Sequence, residues 1–64
     1  MTEQEWKAAY IAHIKARMTG DGWTDEDREK VARLHANAAW PDSDNGEVSP
    51  DESADAEADE MARG

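Results

Sequence analysis

The feature that most constrains the fold is a row of large apolar side chains repeated about every four residues near the start of the chain. At about 100° per residue these positions share one side of an α-helix, so the pattern predicts a helix with an apolar stripe. The stripe consists of Trp6, Tyr10, Ile11, Ile14 and Met18. Residues 2–5 form a capping box, which predicts a helix over about residues 3–19. A second row, of the small residues Ala8, Ala12 and Ala16, is either solvated or packs against another helix.

A second helix is predicted after a short break. Gly20 suits the left-handed position that follows a helix end. Thr24, which is followed by three acids, has the features of a helix N-cap, and Pro41 favours an extended conformation at Trp40. We therefore expect a helix over about residues 25–39, antiparallel to the first, and an all-α fold. Its apolar stripe should consist of Val31, Leu34 and Ala38.

The last third of the chain contains the features of a third helix start. Ser49 is followed by Pro50 and then by acids in the first turn, an order that is typical of a capped helix. We expect a loop around Asn45-Gly46 and then a short helix over about residues 50–62. Its apolar residues are too few to stabilise it alone, and the alternative is a disordered acidic tail.

The net charge of −9 is concentrated at the C-terminal end. Residues 1–40, the predicted helical hairpin, hold seven acids and six bases, whereas residues 41–64 hold nine acids and one base. The chain therefore divides into a near-neutral hairpin and an acidic loop and C-terminal segment. Such a segment repels a phosphate backbone, so we expect no direct nucleic-acid binding and favour basic protein surfaces as partners.

A chain of 64 residues can bury only a thin core. It has no cysteine, so neither a disulfide nor a thiolate zinc site can stabilise the fold. We expect that self-association, most simply as a homodimer, or a partner supplies the missing stability. No apolar run is long enough to span a bilayer, and the N-terminus lacks the pattern of a secretory signal. We therefore expect a cytoplasmic protein without a membrane partner.

Enzymatic chemistry is not expected. His13 and His35 lie on different predicted helices, and no third ligand has matching spacing, so we expect neither a metal site nor a cofactor. The carboxylates lie in a hydrated stretch, whereas acid–base catalysis needs carboxylates in contrasting, partly buried environments. Residues 42–53 resemble a calcium loop, but the glycine comes one residue early and Ser53 occupies the twelfth position.

Candidate contact residues are aromatic side chains, an arginine and carboxylates at helical spacing. Tryptophan, tyrosine and arginine dominate binding hot spots, and three tryptophans is a high number for so small a chain. Trp23 and Trp40 either close the two ends of the hairpin core or anchor an interface. The predicted partner-binding residues are Trp23, Trp40, Tyr10, Arg28, Asp51, Glu52, Asp55 and Asp59.

The hairpin of residues 6–40 followed by the acidic stretch of residues 51–60 resembles small, acidic, helical accessory proteins that bacteriophages encode. This resemblance implies a protein that binds and inhibits a host factor, such as a defence complex, a transcription regulator or a polymerase. We therefore expect an acidic protein-binding inhibitor or adaptor that blocks a host or regulatory protein with a basic surface. The alternative is a self-associating structural or assembly protein whose acidic segment serves solubility.

Overall fold

The computed structural model describes residues 1–18 and 22–63, in which three α-helices follow one another along the chain. They are α1 (Glu3–Arg17), α2 (Asp25–Asp42) and α3 (Pro50–Arg63). The described residues contain no strand. The expected all-α hairpin with a third short helix is therefore confirmed.

The start of α1 is the capping box that the sequence predicted. The Glu5 backbone N–H donates to the Thr2 hydroxyl at 3.2 Å, and the Thr2 backbone N–H donates to the Glu5 carboxylate at 3.0 Å. These two bonds satisfy donors that a helix start otherwise leaves unpaired. The helix ends at Arg17. Met18 is its C-cap, so the helix stops short of the expected end near residue 19. The predicted cap at Gly20 lies outside the described residues.

The end of α2 lies three residues beyond the expected one. Thr24 caps the helix as predicted, but the expected extended conformation at Trp40 is wrong, because Trp40 and Pro41 are both helical. A proline removes one backbone hydrogen bond, here the one to the Asn37 carbonyl. Asn37 is exposed, so water can replace that bond, and the Ser43 N–H closes the last turn.

The core is built around α1, which packs against both α2 and α3. Trp6 stacks on Tyr10 with 5.5 Å between ring centroids, and Trp40 packs edge-on against Trp6 at the same separation. Such aromatic pairs contribute roughly 0.5–1.5 kcal/mol beyond the area they bury. The predicted stripe of α1 is confirmed. Its buried members are Trp6, Tyr10, Ile14 and Met18, with Ile11 partly buried.

The predicted apolar stripe of α2 is wrong. Leu34 is 70% exposed, Ala38 is exposed and Val31 is half-buried. The buried residues of α2 are instead Ala32 and Ala36. The aromatic rings of α1 already fill the space between the helices, so only short side chains on α2 allow the two backbones to come close enough to pack.

The acidic segment shares its core with the hairpin, and the boundary placed at residue 40 lies inside α2. Ala54 and Ala58 of α3 are buried. The start of α3 is capped as predicted, because the Glu52 backbone N–H donates to the Ser49 hydroxyl at 3.2 Å. Trp6 Nε1 also donates to the backbone carbonyl of Val48 at 2.9 Å, which holds the chain before α3 against the core.

The loop between α2 and α3 turns sharply over residues 44–46, all of which have positive φ. Ser43, which is buried, organises the turn: its hydroxyl donates to the Trp40 carbonyl at 2.7 Å and accepts from the Gly46 N–H at 3.0 Å. Asp44 and Asn45 have φ near +58°, a region that these two residue types tolerate better than most. The loop therefore directs α3 back along α1.

Replacing Gly46 with alanine should lower the free energy of unfolding by roughly 1–3 kcal/mol. A Cβ at Gly46 would lie 2.8 Å from a ring carbon of Trp40, and φ is +97° there. Gly22→Ala is the matched control, because φ is +101° at Gly22 and a Cβ would meet nothing within 4 Å. Denaturant unfolding measures both. Equal losses would contradict the contact with Trp40, since the two variants share the backbone strain alone.

Candidate functional site

One row of carboxylates on α3 is paired with basic side chains of α1. Asp55 lies 2.6 Å from Nη1 of Arg17, and Asp59 lies 3.0 Å from Nη2 of the same guanidinium. The His13 ring lies 2.7 Å from Asp55 and 3.7 Å from Asp51. The hydrogen bond to His13, together with the one to Arg17, holds the pKa of Asp55 below its usual value. This row therefore serves mainly to hold α3 along α1.

A second row of acids lines a groove between α2 and α3. Its acids are Asp42 from α2 and Glu52, Glu57 and Glu60 from α3, and His35 of α2 also lines it. None of the described residues that line the groove is a lysine or an arginine. His35 Nδ1 lies 2.9 Å from the Glu57 carboxylate and so bridges the two helices. The remaining lining residues are Tyr10, Ala38, Ala39, Ser43, Val48, Ser53 and Ala56.

Tyr10 lies beneath this groove and is 1% exposed. Burial raises the pKa of its hydroxyl to about 12, and the negative charge of Glu57 contributes to the shift. Tyr10 is the one tyrosine of the chain, so its ionisation can be followed without interference from another phenol. The pKa of Tyr10 is therefore a built-in measure of the burial and charge of the groove.

Raising the pH through the range of about 10 to 12 should destabilise the protein through Tyr10. A tyrosine in the unfolded chain ionises near pH 10, whereas folded Tyr10 keeps its proton until about pH 12. Its contribution to stability is thus complete below pH 10 and is lost as the pH rises through the folded pKa. The free energy of unfolding should fall by about 1.4 kcal/mol per pH unit in this range.

Tyr10→Phe should remove the part of the pH dependence of stability that Tyr10 causes, and should leave the part that the lysines cause. Phenolate absorbance of the folded protein should show a midpoint near pH 12. A midpoint near the ordinary tyrosine value of about 10 would contradict the burial of Tyr10.

The structure places the predicted hairpin contacts far apart. Trp23 is 41% exposed just before α2, and Arg28 is half-buried and paired with Asp25. Trp40 is partly buried against Trp6 at the other end of the helix. Trp23 lies just before the start of α2 and Trp40 near its end, so the two rings lie near opposite ends of the helix. Trp40 thus closes one end of the core, whereas Trp23 presents ring surface to solvent.

The other predicted contacts divide between the two rows of acids. Asp51, Asp55 and Asp59 lie in the row that faces α1, whereas Glu52 lines the groove. Tyr10 joins Glu52 there, although most of its ring is in the core. Of the predicted contact residues, these two are the pair that the groove brings together.

Sequence reasoning missed the basic residues that hold α3 in place. His13 and Arg17 are four residues apart on α1, and their acidic partners on α3 also repeat every four residues. This matched spacing was the signal available in the sequence. His13 and His35 lie on different helices, and each contacts a carboxylate of α3. The described residues contain no group of three side chains arranged to hold a metal ion.

A second groove, between α1 and α2, has charges of both signs. Lys7 pairs with Glu3 at 2.6 Å, and Lys15 pairs with Glu29 at 3.3 Å along its edges. The row of small residues on α1 is exposed, which agrees with a solvated surface. Because its charges are already paired, this groove selects weakly for the charge of a ligand.

Comparisons with known protein families, curated proteins and solved structures found no match to this chain. Among the described residues, no helix combines the length and apolarity that crossing a membrane requires. The fold and surface define a small acidic bundle of three helices. Its function is therefore inferred from the geometry of that surface.

Proposed function

We propose that this protein is a binding protein, an inhibitor or adaptor, that holds a basic segment of another protein in the groove between α2 and α3. The observation that carries the proposal is that acids from both helices line this groove, whereas none of its described lining residues is a lysine or an arginine. Asp42 lies on one wall, and Glu52, Glu57 and Glu60 lie on the other. A concave surface lined by one sign of charge focuses the electric field and attracts ligands of the opposite sign.

The spacing of the acids on α3 suits a segment with repeated lysine or arginine side chains. Glu52 and Glu60 are two turns apart, which is about 12 Å along the helix axis, and Glu57, which His35 contacts, lies between them. Cationic side chains one or two helical turns apart can therefore each meet a carboxylate. The small residues Ala38 and Ala56 along the groove let the backbone of a partner come close.

The charge of the whole chain adds to this local attraction. A net charge of −9 raises the rate of association with a basic surface. Where that surface normally binds nucleic acid, the carboxylates compete with phosphates for the same lysine and arginine side chains, so binding is inhibitory. The resemblance to bacteriophage accessory proteins favours a host factor in the cytoplasm as the blocked protein.

Removing charge from the groove should weaken binding more than removing the same charge elsewhere. The test variant is Glu52→Gln with Glu60→Gln, and the control is Glu26→Gln with Glu47→Gln, two exposed acids outside the groove. An arginine-rich helical peptide is titrated into each by calorimetry. We expect the groove variant to lose about tenfold or more in affinity and the control variant to lose much less. The full chain is required, because Ala54 of α3 is part of the core.

The pKa of Tyr10 gives a second measurement on the same samples. A guanidinium beside Glu57 offsets the charge that contributes to the raised pKa of Tyr10, so bound peptide should lower the phenolate midpoint. Arginine stays protonated at the pH this requires. Equal loss of affinity in both variants, with an unchanged Tyr10 midpoint, would mean general charge attraction and would refute the groove. Affinity capture from a host lysate with the same two variants then identifies the partner.

A further inference from the structure

The outer side of α2 carries an apolar stripe that no described part of the chain covers. Leu34 is 70% exposed, Ala38 and Pro41 are exposed, and Val31 is half-buried. These four positions are separated alternately by three and four residues, which is the spacing of a coiled-coil seam. They lie opposite the alanines of α2 that pack against α1. Leu34, the largest aliphatic side chain of this helix, therefore faces solvent, whereas Ala32 and Ala36 face the core.

We propose that this stripe is the interface of an antiparallel homodimer, in which α2 packs against α2 of a second copy. In one antiparallel register, Leu34 packs against Ala38 of the second copy, and Val31 packs against Pro41 of the second copy. Each layer then pairs a larger side chain with a smaller one, as interdigitating helices require. The two-fold axis repeats each contact, so the assembly closes as a dimer.

The charges beside the stripe favour this partner and this direction. Arg28 flanks the first half of α2, where it already contacts Asp25, whereas Asp42 is the last residue of the helix. Antiparallel packing of the two α2 helices brings Arg28 toward Asp42 of the second copy. Parallel packing would instead leave Arg28 and Asp42 of the second copy at opposite ends of the seam. The stripe is thus complementary to itself when one helix is reversed.

The rest of the surface explains why two copies would meet here. Each chain carries a net charge of −9, and the acids of α3 repel a second copy of that helix. Ala38 and Asp42 border both surfaces, so the groove between α2 and α3 lies beside the seam. The inference is drawn without reference to what that groove binds, but because Ala38 and Asp42 belong to both surfaces, a dimer and a groove ligand compete for them.

Sedimentation of the full chain over a range of concentrations tests the dimer. One pair of helices buries an area at the low end for specific interfaces, so we expect a reversible monomer–dimer equilibrium. Leu34→Lys should weaken dimerisation by about tenfold or more, equivalent to ~1.4 kcal/mol. Circular dichroism should show an unchanged fold, since Leu34 lies outside the core. Ala12→Lys, at an exposed position on α1, is the matched control and should dimerise like the original chain.

An exchange of charges tests the antiparallel direction. Arg28→Glu should weaken dimerisation, and the addition of Asp42→Arg should restore it, because the pair re-forms across the seam with its signs exchanged. A chain that stays monomeric at every concentration would overturn the proposal and would make a different protein the candidate partner of the stripe. Association lost in Ala12→Lys but kept in Leu34→Lys would also overturn it. So would open-ended assemblies, which favour a structural protein, because a two-fold contact closes.

Discussion

Replacing Trp6 with alanine is expected to leave most of the protein unfolded at room temperature. Trp6 is fully buried, contacts Tyr10 and Trp40, and donates a hydrogen bond to the Val48 carbonyl. It therefore joins α1, the end of α2 and the chain that leads into α3. Tryptophan-to-alanine changes in a core cost about 3–5 kcal/mol. A domain of this size has little more than that in total, since its core rarely supplies more than about 3–5 kcal/mol.

The same substitution at Trp23 is the control for this prediction. Trp23 is 41% exposed, so Trp23→Ala should change the free energy of unfolding by about 1 kcal/mol or less. Trp6→Phe should fall between the two, because it keeps an aromatic ring and loses the hydrogen bond to Val48. Far-ultraviolet circular dichroism and denaturant unfolding measure all three. Similar losses at Trp6 and Trp23 would show that the core is not centred on Trp6.

Helix positions in this protein follow from the sequence where several local signals agree. The large side chains of α1 have helical spacing, and the capping box at Thr2 and Glu5 marks the same start. The start of α3 follows in the same way from Ser49 and Pro50, although its apolar face is weak. Caps and turn residues act within a few residues, so a single sequence contains all that is needed to place them.

The buried face of α2 does not follow from periodicity because hydrophobicity and size favour opposite faces. Val31 and Leu34 are the most hydrophobic residues of the helix, yet Ala32 and Ala36 are buried. The size of the aromatic rings on α1 decides between these faces, and that information lies about 20 to 30 residues away in the chain. A hydrophobic pattern ranks residues by the free energy of transferring their side chains out of water, whereas close packing selects side chains by their volume.

The candidate site is predictable only in part, for the same reason. Glu52 and Tyr10 were predicted as contacts from residue type and helical spacing. The groove that joins them exists because α3 packs on α1 beside α2, which depends on the buried Ala54 and on the bond from Trp6 to Val48. His35 and Glu57 meet across 22 positions of the chain. No local pattern in the sequence specifies that contact.

Exchanging residue sizes on α2 should give opposite results on its two faces. Ala36→Leu places a large side chain against α1 where no space is available, and we expect a loss of about 1–3 kcal/mol or more in the free energy of unfolding. Leu34→Ala removes an exposed side chain, and we expect a change within about 0.5 kcal/mol at concentrations where the chain is monomeric. If α2 instead buried the stripe that the sequence predicted, Leu34→Ala would lower the free energy of unfolding by about 2–5 kcal/mol.

The effect of Ala36→Leu should also reach the groove. Pushing α2 away from α1 opens the cover over Tyr10 and separates His35 from Glu57, because both helices take their positions from α1. The pKa of Tyr10 should then fall from about 12 toward its ordinary value, which the absorbance titration measures on protein that remains folded. Leu34→Ala should leave that midpoint unchanged. A stable Ala36→Leu protein with an unshifted Tyr10 midpoint would contradict both the burial of Ala36 and the dependence of the groove on the close approach of α2.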